Sequence, residues 1–506
     1  MRTVIDRLGD SLGSGSCGSG MAATRPPTSG TVPTASPVFR APSWRAIRRQ
    51  GLAPALALSL LPVLSLTSAS AGVMTTARQL RSDAAPVSTQ FVIVDEQGRT
   101  TTAERFAVEG AHLLVWPGQQ SAVRGKTGLP EPKRIPLGQC LAVVQDVRAQ
   151  PTAPSAVVLA SGERFPGEVE ARDVDRRSAN AAAGVAAGGA TELAWRHRWL
   201  GETTIDLERT RAILLSPEVA VPKAASSDVI VLANGDRVEG VIATLGAIVA
   251  IERSGETSTV VTDQEAHVAA LTEIPLGRIA AIGLITPDVP STAPRLWTID
   301  GTVVNAIPEL STDPETLVVR RSDSLNTREP GARATDDAGR APRDGTATQR
   351  IDEIIGFAPA PERIVPLARI QPANLVASGE TPRFSVDAPT RAPGLWPMGM
   401  APLTLRGPTV ARYDLPASDC LFIAEVRVAD PDARWTEFEL IVRDGSREVL
   451  RLPMTGSSAP TPFAVTIASG QLEIEVTEGV RGPIRDAVEF RRAMVVLPAS
   501  ANALRR

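Results

Sequence analysis

From residue 403 to residue 497 the chain is a series of short runs in which apolar and polar residues alternate, and helical spacing is almost absent. In one such run Leu472, Ile474 and Val476 are separated by polar side chains. A period of two buries one side of each strand, as in an antiparallel sandwich. Strands are predicted at Leu403 to Leu405, Thr409 to Leu415, Cys420 to Val428, Trp435 to Arg443, Glu448 to Leu452, Pro462 to Ala468, Leu472 to Val476 and Phe490 to Leu497. Eight strands in this order predict a jelly roll.

A loose internal repeat precedes this module, between Gln90 and Ile370. Its first signature is an apolar run that ends in a polar Gly turn with the spacing G-[DE]-R-x-x-G, which predicts a hairpin. This signature occurs at Val157 to Gly167 and Val229 to Gly240, with looser copies at Phe91 to Arg99 and Leu296 to Thr302.

A second signature, apolar-x-Leu, closes each repeat. It occurs at Arg134 to Leu137, Ile205 to Arg209, Ile274 to Ile279 and Val365 to Ile370. Proline in three of these copies removes a backbone donor, which favours a strand start or an edge strand. The repeat predicts four small antiparallel β-units in series, which resemble Sm-like barrels.

The predicted fold class is therefore all-β, with serial small β-units followed by a β-sandwich jelly roll. The predicted organisation is a leader with a signal peptide (1–71), β-units at 88–146, 154–218, 226–286 and 294–371, a linker (372–393) and the C-terminal module (394–498). Segments poor in bulky apolar residues, 179–190 and 322–350, are predicted to be flexible insertions.

The leader has the parts of an export signal. Arg45, Arg48 and Arg49 precede the apolar stretch 51–66, and Ala69-Ser70-Ala71 is a cleavage pattern, so cleavage is predicted near Ala71. An uncleaved membrane anchor is the alternative, but the stretch is short for a spanning helix and contains two prolines. We therefore predict a secreted, periplasmic or cell-envelope protein with no membrane attachment after cleavage.

Charge excludes one class of partner. The leader carries a net charge of +5, which leaves −8 for the remaining residues. An acidic chain without a basic tract is poorly suited to nucleic acid, because clustered cations supply most of that affinity. Outside the leader, Cys140 and Cys420 lie in different predicted domains, and two buried thiols are favoured over a disulfide.

Several ordered pieces of the C-terminal module carry a family resemblance. They are Tyr413-Asp414-Leu415, Cys420-Leu421-Phe422 with Glu425-Val426, Phe438-Glu439-Leu440 with Arg443-Asp444-Gly445, and Leu472-Glu473-Ile474. In this order they resemble the NPCBM family of carbohydrate-binding modules. The resemblance covers about the last fifth of the chain and implies a galactose-binding-like jelly roll and a glycan ligand. Phe490 stands where the family pattern has Trp.

Sugar recognition usually combines an exposed aromatic ring with polar side chains that bind hydroxyl groups. The candidate binding residues are Trp435, Trp396, Asp430, Asp432, Arg434 and Asp486. For Trp435 the alternative to sugar binding is a place in the core of the module. For Asp430-Pro431-Asp432 the alternatives are a cation loop of oxygen ligands and a solvated turn, and the turn is favoured.

Little in the sequence suits catalysis. The three histidines, His112, His197 and His267, lie in different units without metal-ligand spacing. His197 lies between Trp195 and Trp199, a pattern more typical of packing around a neutral imidazole than of a ligand surface. Acids at alternating positions, such as Glu473 and Glu475, are predicted to be solvated strand faces, and a two-carboxylate glycosidase is the remaining alternative. We predict no enzyme, no metal and no cofactor.

The sequence thus predicts a secreted, non-catalytic protein that binds a cell-surface or extracellular glycan through its C-terminal jelly roll. The alternative is an envelope-associated structural or protein-interaction protein without sugar affinity. Other envelope or extracellular proteins are additional predicted partners.

Overall fold

The computed structural model describes residues 90–118, 131–169, 192–216, 219–253, 271–289, 291–321, 346–378, 386–430, 436–479, 482 and 486–499. The protein is all-β, as predicted: in these ranges every helix is a three-residue 3-10 turn. Among the described residues no helix is long and apolar enough to cross a membrane. The leader 1–71 and the segment 179–190 lie outside these ranges.

The strands before residue 360 form four sets, which we call units 1 to 4. Unit 1 contains β1 (Phe91–Asp95), β2 (Thr100–Ala103), β3 (Arg105–Glu109), β4 (His112–Trp116), β5 (Lys133–Pro136) and β6 (Cys140–Val144). Unit 2 contains β7 (Ser155–Leu159), β8 (Arg164–Val169), β9 (Glu192–His197), β10 (Gly201–Asp206) and β11 (Thr210–Leu214). Unit 3 contains β12 (Asp228–Leu232), β13 (Arg237–Thr244), β14 (Ile248–Arg253), β15 (Leu271–Pro275) and β16 (Ile279–Gly283). Unit 4 contains β17 (Arg295–Thr298), β18 (Val303–Leu310), β19 (Thr316–Arg321), β20 (Thr346–Arg350) and β21 (Ile354–Ala358).

All four units share one antiparallel pairing order. The last strand pairs with the first, the first with the second, the second with the third, and the third with the fourth. In unit 1 the second strand is divided into β2 and β3. The common order explains why the same sequence signatures recur at similar positions.

Two glycines in the first signature have separate roles. Gly162 and Gly235 have φ values of 83° and 90°, which a side chain rarely adopts, and they form the tight turn after the first strand. Gly167 and Gly240 lie on the second strand, where a β-carbon would collide with the backbone oxygen of Arg196 or Glu252 on the third strand. The second glycine therefore permits the close approach of these two strands.

The second signature forms a 3-10 turn between the last two strands of a unit. These turns are Leu137–Gln139, Leu207–Arg209, Leu276–Arg278 and Ile351–Glu353. The prediction that Val365 to Ile370 closes the fourth unit was wrong. That segment does end in a 3-10 turn, Leu367–Arg369, but its strand β22 (Ile364–Pro366) pairs with the C-terminal sandwich. The pattern specifies the local turn and not the sheet to which the strand belongs.

Two predicted irregular segments contain strands. Thr346–Arg350 of the predicted insertion 322–350 is β20, which pairs with β19, while 322–345 lies outside the described residues. The predicted linker 372–393 contributes β23 (Asn374–Ala377) and β24 (Thr390–Arg391) to the sandwich. Edge strands of this kind carry weak alternation, which is why composition alone indicated a linker.

The units associate in pairs through their last strands. β6 of unit 1 pairs with β21 of unit 4, and β11 of unit 2 pairs with β16 of unit 3, both antiparallel. One apolar cluster runs through all four units and includes Phe106, Phe165, Ile251 and Phe357. Pairing of last strands removes edges that would otherwise expose unpaired backbone groups.

The C-terminal module is a two-sheet sandwich. Besides β22, β23 and β24, its strands are β25 (Leu403–Arg406), β26 (Thr409–Asp414), β27 (Cys420–Val428), β28 (Glu437–Asp444), β29 (Arg447–Thr455), β30 (Thr461–Ile467), β31 (Gln471–Val476) and β32 (Ala487–Val496). One sheet has six strands, ordered β24-β25-β32-β27-β30 with β22 beside β32, and the other has five, ordered β23-β26-β31-β28-β29. Successive strands cross repeatedly between the sheets, and the inward residues, such as Phe422, Leu440 and Phe490, form one core.

The six-stranded sheet packs its outer face on units 1 and 4. Ile423, Met494 and Val496 share an apolar cluster with Val144 of unit 1 and Trp297 of unit 4. Arg492, with a positive φ of 52°, occupies a β-bulge that shifts the alternation of β32 by one residue.

This junction also buries charge. The side chain of Arg492 is 8% exposed and pairs with Asp146 of unit 1 and with Glu425 of β27. The six-stranded sheet is thus covered on both faces near the C-terminal half of β32, whereas the outer face of the five-stranded sheet carries exposed polar residues. Cys140 and Cys420 are buried free thiols, as favoured from the sequence.

Candidate functional site

The loops at one end of the sandwich bring some of the predicted binding residues together. Asp430 follows β27 and is half-buried, and Asp486 precedes β32; the backbone N–H of Ala429 donates to the carbonyl of Ala487 (2.9 Å). Asp432, Arg434 and Trp435 lie outside the described residues. Their role in binding stays a prediction.

Asp486 does not face solvent. It is 2% exposed, and its carboxylate accepts a hydrogen bond from the backbone N–H of Gly479 (3.0 Å). Burial raises the pKa of this carboxyl group. Asp486 therefore holds the loop after β31 in place. Its role as a ligand contact stays a prediction.

Trp396 lies far from these loops along the sandwich. It precedes the 3-10 turn Pro397–Gly399, which contacts units 1 and 4 and β22, beside the C-terminal end of β32. The ring is half-buried, and Nε1 donates to the carbonyl of Pro393 (3.2 Å). The structure thus separates Trp396 from Asp430, which lies beside the beginning of β32.

A cleft that the sequence did not indicate lies at one end of the five-stranded sheet, at the other end of the sandwich from Asp430. It has a volume of about 740 Å³ and opens where β26 and β28 end and β23 and β31 begin. Its lining is mainly polar: Asn374, Arg412, Asp414, Arg443, Ser446, Gln471 and Glu473, with Ala373, Tyr413, Gly445 and Leu472. Strand pairing brings these residues together from four segments of the chain, and three of the segments overlap the pieces that resemble NPCBM modules.

Ion pairs fix the polar groups of the cleft. Glu473 accepts from Arg412 Nε (2.5 Å) and from Arg443 Nη1 (2.7 Å), and Arg443 Nη2 also contacts Glu475 (2.6 Å). Burial opposes the charge of Arg443, but the hydrogen bonds and charges of Glu475 and Glu473 outweigh it and raise the pKa of Arg443. These side chains are therefore held in place, which lowers the entropy lost on binding a ligand.

The cleft lacks an exposed aromatic platform. Of its lining residues only Tyr413 is aromatic, and it is 2% exposed. Burial raises the pKa of Tyr413 to about 12. The recognition that this lining permits is hydrogen bonding from guanidinium, amide and carboxylate groups, not stacking.

The carboxylates on the outer face of the five-stranded sheet are ion-paired. Glu473 and Glu475 contact arginines as described, and Glu439 pairs with Arg451. Among the described residues no group of three or more His, Cys, Asp and Glu could hold a metal ion.

His197 is a core residue. It is 2% exposed and lies edge-on to Phe165 and Trp199, with ring centroids 5.8 and 5.4 Å away. Its Nδ1 accepts from the backbone N–H groups of Trp199 and Leu200 (3.2 and 3.3 Å), so the proton belongs on Nε2, which lies 3.2 Å from Thr302 Oγ1 of unit 4. Burial lowers the pKa of His197 to about 4. The imidazole is thus a neutral link between units 2 and 4.

Comparison with known proteins gives structural matches only. No family model matches the sequence, and no curated protein matches it. Similar solved structures include CBM51 from Clostridium perfringens GH95 in complex with methyl-galactose, which is 15% identical over 26% of this chain and 99% of that chain, with a TM-score of 0.20.

Two further matches come from Clostridium perfringens ZmpB. CBM51-2 in complex with GlcNAc together with INT domains is 11% identical over 40% of this chain and 43% of that chain (TM-score 0.23). The M60 catalytic domain with CBM51-1 and CBM51-2 is 10% identical over 81% of this chain and 51% of that chain (TM-score 0.23). These values leave the family of the chain open, so membership of the NPCBM family stays a prediction.

Proposed function

We propose that this protein is exported and binds a cell-surface or extracellular glycan, without catalysis, through the five-stranded sheet of its C-terminal sandwich. The observation that carries the proposal is the cleft at the end of this sheet, which is open, mainly polar and lined by ion-paired side chains. A ligand rich in hydroxyl groups suits this lining better than an apolar ligand does. The resemblance of the module sequence to NPCBM modules supports the same function.

Placement on the chain supports this choice of face. Units 1 and 4 cover the six-stranded sheet around Ile423 and Met494, so that part of the sandwich serves attachment within the molecule. The outer face of the five-stranded sheet keeps exposed polar residues such as Arg412, Asp414 and Gln471. A large external polymer can approach this face without displacing the units.

A glycan array probed with the full chain tests the proposal. We expect binding to at least one neutral glycan, and Q471A and N374A should each weaken that binding about tenfold, because each removes side-chain hydrogen bonds to a sugar. Q139A is the matched control: Gln139 is exposed in unit 1, remote from the cleft, and its loss should leave binding unchanged. Glycan binding that is unchanged in both Q471A and N374A would place the site elsewhere.

The loops at the other end of the sandwich are the second candidate surface. They contain Asp430 and the predicted Asp432, Arg434 and Trp435. Glycan binding that is lost in W435A and retained in Q471A would assign the site to these loops. Loss in Q471A alone would assign it to the cleft.

The alternative is an envelope-associated structural or protein-interaction protein. The observation that favours it is the lining of the cleft, which presents paired charges and no exposed aromatic ring. A chain that binds no glycan on the array but is cross-linked to one envelope protein through the five-stranded sheet would support this alternative.

A further inference from the structure

The segment 391–399 lies at the seam between units 1 and 4 and the sandwich. β24 at its beginning pairs with β25 of the sandwich, and the backbone N–H of Ala149 donates to the carbonyl of Leu395 (2.7 Å). The 3-10 turn Pro397–Gly399 at its end contacts β21 and β17 of unit 4. Side chains from three parts of the chain therefore surround this segment.

Three of these side chains are arginines. Arg391 is exposed on β24, and the Cδ of exposed Arg148 lies 3.3 Å from the position that a β-carbon would take at Gly394. Arg369 lies against the backbone of Gly399, where its Nε is 2.6 Å from the corresponding position. Burial and then the charge of Arg391 lower the pKa of Arg369.

Acidic side chains do not balance this cluster. No ion pair joins Arg148, Arg369 or Arg391 to any residue in the part of the chain that the structure describes. Nearby Asp146 already contacts Arg491 and Arg492. Further acids at the edge are the exposed Asp387, upstream on the chain, and Glu362, which acts on Arg295.

A group of arginines without ion-pair partners among the described residues is unusual in this chain, because the chain after the leader carries a net charge of −8. Neighbouring like charges repel one another, and an anion bound between them removes that cost. The planar guanidinium group matches carboxylate and sulfate groups with two parallel hydrogen bonds. Trp396 is half-buried in the same segment, two positions after Gly394, where Arg148 lies.

We propose that Arg148, Arg369 and Arg391, which lie along the segment 391–399, form a site for the carboxylate or sulfate groups of an acidic polysaccharide. This site is separate from the cleft of the five-stranded sheet. It gives the protein a second contact, selective for charge, at the seam between the units and the sandwich. Two separated contacts on one polymer raise the overall affinity by effective concentration.

Titration of the purified full chain with alginate, a polymer of uronic acids, and with neutral dextran tests this site. We expect binding to alginate that weakens as salt is added, because exposed charges are screened. R148Q and R391Q should each weaken alginate binding about tenfold, since each removes a charge-assisted hydrogen bond. R278Q, at an exposed arginine in unit 3, is the matched control and should bind like the original chain.

Other outcomes overturn the proposal. They are equal binding of dextran and alginate, no binding of alginate, unchanged binding in R148Q and R391Q, tighter binding of a DNA duplex than of alginate, and full competition by inorganic phosphate at the same concentration of charged groups. Thermal unfolding of each variant identifies any loss of fold. A neutral glycan bound in the cleft should be retained by R391Q and lost in Q471A, so the two proposals fail separately.

Discussion

The two sheets of the C-terminal sandwich use the same kinds of side chain for different purposes. On the six-stranded sheet Arg492 lies between two carboxylates and is 8% exposed, whereas on the five-stranded sheet Arg451 also contacts two carboxylates, Glu439 and Glu448, and is 44% exposed. The first arrangement is covered by units 1 and 4, and the second faces solvent. Burial against units 1 and 4, rather than residue type, decides whether a charged group stabilises the fold or is available for recognition.

The largest expected effect is on the covered side. R492A leaves Glu425 without its cation and Asp146 with Arg491 alone, and breaking a buried ion pair costs about 3 to 5 kcal/mol. We expect the free energy of unfolding, measured by denaturant titration, to fall by this amount. The exposed Arg406 on β25 provides the control, R406A, which should unfold like the original chain. A loss below about 1 kcal/mol in R492A would show that the junction is solvated.

The apolar part of the same junction should come next. Met494 is fully buried between β27 and units 1 and 4, so M494A removes apolar contacts and leaves a cavity, at a cost of about 2 to 5 kcal/mol. Denaturant unfolding measures this loss. An unchanged unfolding midpoint would mean that the sandwich does not depend on the units for its stability.

A pH titration extends the comparison to the covered link between units 2 and 4. The pKa of His197 is about 4 in the folded protein and near its usual 6.5 in the unfolded chain. Between these values the unfolded chain binds more protons, so lowering the pH from 7 to 4 should reduce the free energy of unfolding by about 3 kcal/mol through His197. Well below pH 4, where His197 is protonated in both states, this contribution should fall no further.

Two variants separate this effect from that of other groups. H197Q should unfold more easily at pH 7 and lose less stability between pH 7 and pH 4 than the original chain. H112Q, at an exposed histidine, should keep the original pH dependence. Equal pH dependence in H197Q and the original chain would contradict the burial of His197 as a neutral link.

The smallest effect belongs to the open side. R451A removes an arginine whose ion pairs are exposed, and exposed pairs contribute little because water and salt screen them. We expect the unfolding midpoint of R451A to match that of the original chain within error. A loss comparable with that of R492A would abolish the distinction between the two sheets.

Much of the strand content followed from the sequence, because alternation directly reports one buried face. The strand predicted at Cys420 to Val428 occurs with those bounds, and Leu472, Ile474 and Val476 all face the core. The division of the chain into domains at the predicted boundaries stays a prediction. The strand Ala487–Val496 carried an additional signal: Met494, Val495 and Val496 are consecutive apolar residues, which indicates a strand covered on both faces.

The candidate site was less predictable. The cleft is assembled by pairing of β23, β26, β31 and β28, and its lining comes from four separate segments of the chain. Three of these segments overlap the pieces that resemble NPCBM modules, but only the strand pairing shows that they form one cleft. The sequence offers Asp486 as a polar group for sugar hydroxyls, whereas in the fold its carboxylate is buried and accepts a hydrogen bond from the backbone N–H of Gly479. The positive φ of Arg492, which redirects β32, also depends on tertiary packing rather than on local preference.

Hydrogen exchange with and without the tightest glycan from the array tests the central claim most directly. Ligand bound in the cleft should slow exchange in 412–419 and 444–447 and at 468–473, the segments at that end of the five-stranded sheet, and leave 421–426 of the covered sheet unchanged. Protection confined to the loops 429–436 and 477–486, or to the covered sheet, would contradict the assignment of glycan binding to the open end of the five-stranded sheet.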